Sequence, residues 1–457
     1  MPDQSLGGFG DARLERVGTA LVASMQRNRT MCLHRLAKDR RQARQFGAFL
    51  ANRWVSIDEM RVKAGQQTGR RVRGRHVLAI QDTTELHFST HIASKKGFGT
   101  GGNGVDLGLF LHPVLAVDAD KGGIIGLVDC AVMNRTEGKV TARRKRPAED
   151  KESRRWLDGA IVSGDVLADA SMITMVADRE SDVYDLFARR PFNVHLLCRS
   201  AQNRVLTDGD LLGQHCTRWK ERGRYKIDVP ARGKHPARQA TVHLRFGNVS
   251  LRRPETAAKD RADAVSLSIV DVHEVGPPAG QEPVHWRLLT THSVVSAEDA
   301  LRIVAWYRMR WIIEQVFRSM KSHCLRIEDS QMVEASCFTK LAMVALIAAV
   351  RAMQLVMARE GGTGQPVTDA VDPADMPALH SLSTSLEGRT EKLKNPHDPC
   401  SLAWFCWIVA RLGGWSGYTS KGYRPPGPKT MHHGLLRLEG ILTGWHLADR
   451  SAVHGLP

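Results

Sequence analysis

The stretch Trp306 to Lys321, WYRMRWIIEQVFRSMK, decides how the chain is read. As one helix it carries Tyr307, Arg310, Glu314 and Lys321 at offsets 0, 3, 7 and 14. At about 100° per residue all four fall within about 60° of arc. That face holds one acid, two fixed cations and a phenol, where a core stripe or a dimer seam would be apolar. A carboxylate flanked by Arg and Lys can bind a metal ion while its neighbours bind phosphates. A solvated face with an i,i+4 ion pair has the same composition. The helix alone leaves both readings open.

Charge points to the partner. The 457 residues carry a formal net charge of +17 and a pI near 9.8, so a polyanion is expected, with nucleic acid ahead of anionic membrane. Residues 1–75 hold 16 Lys and Arg against 6 Asp and Glu, more than half of the whole chain's excess. Their pattern is helical. Asp11 can cap a helix with Leu14, Val17, Leu21 and Met25 on one side. A second helix buries Phe46, Phe49 and Leu50 and exposes Arg35, Lys38, Arg40, Arg41 and Arg44, which can meet a DNA backbone. The longest apolar run, Leu341 to Val350, is too short to span a bilayer. The N-terminus lacks a basic-then-apolar signal, so a cytosolic protein is expected. Eight scattered cysteines form no CxxC pair, which argues against a zinc site and a disulfide framework.

Beyond residue 75 the pattern switches to strands. His76–Ile80 is a short apolar run that leads through Gln81 to Asp82, Thr83 and Thr84. Met172–Ala177 is a second apolar strand, ending on Asp178-Arg179-Glu180-Ser181-Asp182. In an open α/β sheet, functional groups gather where strands end. An Asp at a strand end can also simply cap a turn. Leu109–Val117 and Ile124–Met133 read as a hairpin. Residues 195–290 alternate apolar and polar residues and read as a β-rich segment. Ser296 with Asp299 forms a capping box that starts the key helix. Trp404, Phe405 and Trp407 are expected in a core, whereas Val367 to Pro399 is polar and ill-defined.

Three carboxylates therefore stand out: Asp82, Asp178 and Glu314. No GxSxG, Walker or Ser/His/Asp pattern competes with them. Three oxygen ligands suit Mg²⁺ or Mn²⁺. Two such ions can activate a water and stabilise the leaving oxygen of a phosphodiester.

These motifs carry a resemblance. The chain resembles the DDE cut-and-paste transposases of bacterial insertion sequences, and is similar to the group around the transposase of the kanamycin-resistance transposon (transposon five). Tyr307, Arg310, Glu314 and Lys321 match that group's Tyr-x2-Arg-x3-Glu-x6-Lys signature. Asp82-Thr83-Thr84, Asp178 to Asp182, Lys151-Glu152-Ser153 with Trp156, His285-Trp286 and Ala410 to Gly414 match further motifs. The resemblance implies an α/β fold: an RNase H-like mixed sheet with helices, interrupted by a β-rich insertion and flanked by helical N- and C-terminal domains. The implied domains are 1–75 (DNA-end binding), 76–195 (first part of the catalytic domain), 196–290 (insertion), 291–358 (remainder with the Glu-bearing helix) and 359–457 (dimerisation).

It also implies that Asp82, Asp178 and Glu314 hold two Mg²⁺ or Mn²⁺ ions. Trp286 would stack on a flipped base, and Tyr307, Arg310, Lys321 and Arg199 would grip the transposon end. The partners would be double-stranded DNA and a second copy in a synaptic homodimer, without a membrane, in a bacterial, nucleoid-associated setting. Phe110 stands where a close relative has a second tryptophan, so its role is open. Trp311 is expected to pack. The rival readings are a metal nuclease without strand transfer and a DNA-binding transposition inhibitor.

Overall fold

A computed structural model describes residues 5–28, 30–88, 94–136, 152–229, 236–323, 325–417 and 425–453. Lys151 of the sequence motif lies outside these residues. In chain order the first elements are α1 (Ala12–Asn28), α2 (Leu33–Leu36), α3 (Arg40–Ala51), α4 (Ile57–Gly69), β1 (His76–Gln81), β2 (Thr84–Phe88), β3 (Gly99–Thr100), β4 (Leu107–Asp118) and β5 (Ile124–Met133). Next come α5 (Arg154–Val166), β6 (Met172–Ala177), α6 (Tyr184–Arg189), β7 (Val194–Arg199), α7 (Leu212–Thr217), β8 (Arg224–Val229), β9 (Arg238–Arg252), β10 (Ala264–Glu274) and β11 (His285–Thr290). The last are α8 (Ala297–Met309), α9 (Trp311–Arg318), α10 (Ala335–Ala358), α11 (Met376–Leu386), α12 (Leu402–Leu412) and α13 (Pro428–Val453).

The chain forms two interleaved compact units: residues 1–73, 83–140 and 312–457 make the first, and 74–82 with 141–311 make the second.

In the first unit, β4 pairs antiparallel with β2, β3 and β5. The β4–β5 hairpin is the one expected from sequence. Helix α4 lies against β5: Thr68 Oγ1 donates to the Leu127 carbonyl at 2.7 Å, and Arg61 clamps Asp129 with bonds of 2.7 and 3.0 Å. Gly126 permits this approach, because a Cβ there would lie 2.3 Å from Thr68 Oγ1. Helix α10 is apolar nearly all round. Among the described residues it alone has the length and hydropathy to cross a membrane, and 83% of that stretch is buried inside the unit. It packs against α1, α3, α4, β5, α12 and α13, which makes it a core helix. Trp404, Phe405 and Trp407 are buried with it, as expected. Helix α11 arises in the stretch read as ill-defined, with Pro377 in its first turn.

The second unit is built on a sheet in the order β1-β6-β7-β11-β10-β9-β8. The first three strands are parallel and the rest antiparallel. Parallel strands are covered on both faces and read as continuous apolar runs. Hence Val77–Gln81 and Ile173–Ala177 are buried throughout. Helix α5 seats Gly159 against Gln81, where a Cβ would lie 2.6 Å from Oε1.

Three half-buried histidines cluster in this unit. The Thr174 hydroxyl shares hydrogen bonds with the Nε2 atoms of His76 and His292, each at 2.8 Å, and His195 stacks on His292 at 4.1 Å. Burial pushes His292 down to about 3, helped by the neighbouring His195 and His76 and by Arg190 and Arg302. The folded-state value lies below the ordinary 6.5, so the unfolded chain takes up the proton first. The contribution to stability is therefore full above about pH 6.5 and is lost as pH falls toward 3, at about 1.4 kcal/mol per pH unit. Urea unfolding at about pH 7.5 and about pH 5 is expected to differ by roughly 2 kcal/mol. The variant His292→Gln should flatten that difference. An unchanged pH dependence in the variant would remove His292 as its source.

Candidate active site

The two strand-end aspartates meet by register. Ile80 pairs with Val176 in the parallel β1–β6 ladder, and the same offset brings Asp82 level with Asp178 one residue beyond the strands. Neighbouring strands run about 4.8 Å apart, so both carboxylates leave the same sheet end side by side. Neither is deeply buried. Asp178 accepts the Glu180 N–H at 2.8 Å and caps a short 3₁₀ turn over Arg179–Ser181. The sequence reading admitted such a turn cap, and the structure contains it without burying the acid.

The second aspartate of the same motif does different work. Asp182 is buried and accepts Ala201 N–H at 2.8 Å, Gln202 N–H at 3.0 Å and Arg204 Nε–H at 2.7 Å. It fastens the loop after β7 to the turn after β6. Sequence reading missed this role, which only the fold reveals.

Arg310 closes on the first aspartate. Its Nη1 donates to Asp82 Oδ2 at 2.8 Å, with both side chains about one-sixth exposed. One turn earlier, Tyr307 is buried. Burial pushes its phenol up, against the pull of Arg310 and Arg199, so the hydroxyl keeps its proton at neutral pH. Arg310 stands one helical turn beyond Tyr307, and its positive charge is felt at the phenol. The Trp286 ring meets the Tyr307 ring edge-on at 5.7 Å. Trp286, Tyr307, Arg310 and Asp82 thus form one contiguous series. Beside them the Arg199 guanidinium donates to the His285 carbonyl at 3.0 Å.

Two expectations about the signature stretch change. It is not one uninterrupted helix: α8 ends at Met309, α9 spans Trp311–Arg318, and Ser319–His323 forms a π-helical turn. At the first junction Arg310 keeps helical angles (φ −51°, ψ −32°), and its N–H donates to the Tyr307 carbonyl at 3.1 Å. The π turn winds more than four residues per turn, so the 100° per residue of an α-helix does not apply through Lys321. Trp311 does not pack into the core. It is 45% exposed, with the Arg310 guanidinium 5.8 Å from its ring.

Glu314 and Lys321 belong to the first unit. Glu314 sits on α9 between the buried Ile313 and Val316 and is itself half-buried. Lys321 donates to the Glu85 carbonyl and lies 3.6 Å from the Glu328 carboxylate. In the same unit Arg40, Arg41 and Arg44 project from α3 into solvent, while its Ala43, Phe46, Phe49 and Leu50 are buried. Phe110 is buried, with Arg135 4.1 Å from its ring. Among the described residues the trio with the spacing of metal ligands is Asp208, Asp210 and His215, and the predicted acids Asp82, Asp178 and Glu314 are not part of it. It lies near the surface around α7, and Arg218 pairs with Asp210.

Residues 165–351 match the family model of the transposase DDE domain. The match covers less than half of the chain and supports a likeness to a DDE transposase domain over that segment. The matched segment contains Asp178, Arg199, Trp286, Tyr307, Arg310, Glu314 and Lys321, and it begins downstream of Asp82. A transposase domain acts on DNA, which agrees with the chain's excess of positive charge.

Proposed function

We propose that the protein is a cut-and-paste DNA transposase. It binds the terminal inverted repeats of its element, nicks the ends, forms a hairpin intermediate and transfers 3′-OH ends into target DNA. The observation that carries this reading is the register that sets Asp82 level with Asp178 at the end of two parallel strands. Their hard oxygen donors fit Mg²⁺ or Mn²⁺, and Glu314 is assigned as the third acid from its place in the signature. When bound, a pair of such ions supplies activation of the attacking oxygen and stabilisation of the leaving one.

The protein's own groups do the rest. Arg40, Arg41 and Arg44 neutralise backbone phosphates and set the register on the DNA. Trp286 offers its face to an unstacked base, worth about 1–3 kcal/mol. The Tyr307 hydroxyl, Arg199, Arg310 and Lys321 orient the phosphates near the scissile bond. Water or a 3′-OH then attacks in line. A second copy, docked through residues 359–457, would bring the other end.

The test is a duplex containing the DNA that flanks the reading frame, incubated with purified protein and Mg²⁺. Nicking, a hairpin and joined products are expected in that order. Trp286→Ala should accumulate the nicked species. If Glu314→Ala cleaves as fast as the parent, the acid assignment is wrong.

A further inference from the structure

We infer that Arg310 is a latch on the metal site: it holds Asp82 in competition with a divalent cation, and a DNA phosphate releases it. This rests on the proposed metal-dependent function and adds a control step to it.

The argument begins with what Arg310 occupies. Its Nη1 donates to Asp82 Oδ2 at 2.8 Å and so takes one of the roughly four lone-pair sites that the carboxylate offers a cation. A fixed positive charge at that distance also repels a dication in a site largely shielded from water. The Arg310 side chain is 16% exposed, so a ligand can reach its guanidinium. A phosphodiester offers paired anionic oxygens that match the guanidinium fork at least as well as one carboxylate oxygen does. The series behind Arg310 says which DNA feature moves it. Tyr307 stands one helical turn before Arg310, feels its charge and meets the Trp286 ring edge-on at 5.7 Å, so a base seated on Trp286 acts beside the residue that borders the guanidinium. Metal binding at Asp82 is thereby made conditional on a correctly held DNA end.

The experiment follows Mn²⁺ binding to the full chain by electron paramagnetic resonance, with and without the flanking duplex, and needs no turnover. Without DNA, Arg310→Gln should bind Mn²⁺ about tenfold more tightly than the parent. DNA should tighten Mn²⁺ binding by the parent about tenfold and change the variant by less than about twofold. Tyr307→Phe keeps the ring and loses the hydroxyl, and its DNA-free affinity should fall between the two. It also guards against misfolding of the Arg310 variant. Equal DNA-free affinities of the parent and Arg310→Gln would overturn the latch. So would an equal DNA effect in both, since DNA would then only concentrate cations. Either result, with Mn²⁺ binding still abolished by Asp178→Ala, leaves the metal reading intact. Absence of any Asp178-dependent Mn²⁺ binding overturns that reading and the latch together.

Discussion

Replacing Asp178 by alanine is expected to slow DNA strand cleavage by about a thousandfold or more, roughly 4 kcal/mol of transition-state stabilisation, and to leave the protein folded. The asymmetry follows from its surroundings. Its structural role is one hydrogen bond, from the Glu180 N–H at 2.8 Å, which caps a three-residue turn. Losing such a cap costs about 1 kcal/mol. Its proposed chemical role is to hold a cation beside Asp82, which alanine removes outright. Steady-state cleavage of the flanking duplex, paired with thermal unfolding, checks both halves. A variant that cleaves within about tenfold of the parent would remove Asp178 from the acid set.

Asp182, four positions on, is expected to behave in the opposite way. Its alanine variant should lose about 3–5 kcal/mol of stability, because Arg204 and two backbone N–H groups would then be buried without their acceptor. The carboxylate accepts Ala201 N–H at 2.8 Å, Gln202 N–H at 3.0 Å and Arg204 Nε–H at 2.7 Å. Asparagine would not restore it, since one oxygen becomes an NH₂ group facing donors. Urea midpoints measure the loss, and the rate per folded molecule measures whether catalysis is touched. A variant as stable as the parent but inactive would make Asp182 a reacting group instead of a fastener.

The contrast shows how much was legible in the sequence. An apolar run ending on an acid is a local signal, and both such strands, the β4–β5 hairpin and the Ser296–Asp299 capping box formed where the pattern put them. Pairings across long stretches of chain leave no local trace. The Arg310–Asp82 ion pair joins residues 228 positions apart, and the level placement of Asp82 and Asp178 depends on strand register. Within one motif, Asp178 and Asp182 look alike until burial separates them. Helix α11 escaped notice because MPALHSLSTSL mixes Ser, Thr and Pro, each a poor interior helix former, and is held by its neighbours instead. The phase of Lys321 is not legible in the sequence, because a π turn cannot be told from an α turn by spacing.

The interleaving of the two units bears on how the protein is synthesised. The strand that ends just before Asp82 is made within the first fifth of the chain, yet its partner β6 follows about ninety residues later. On the ribosome, the edge of that early strand that pairs with β6 must wait with its N–H and C=O groups unpaired until Met172–Ala177 emerges, a period of several seconds at about 5–20 residues per second. For the same reason, the segment 165–351 cut out on its own would lose both the strand and the aspartate. A homologous domain boundary and a folding boundary are different places in this chain.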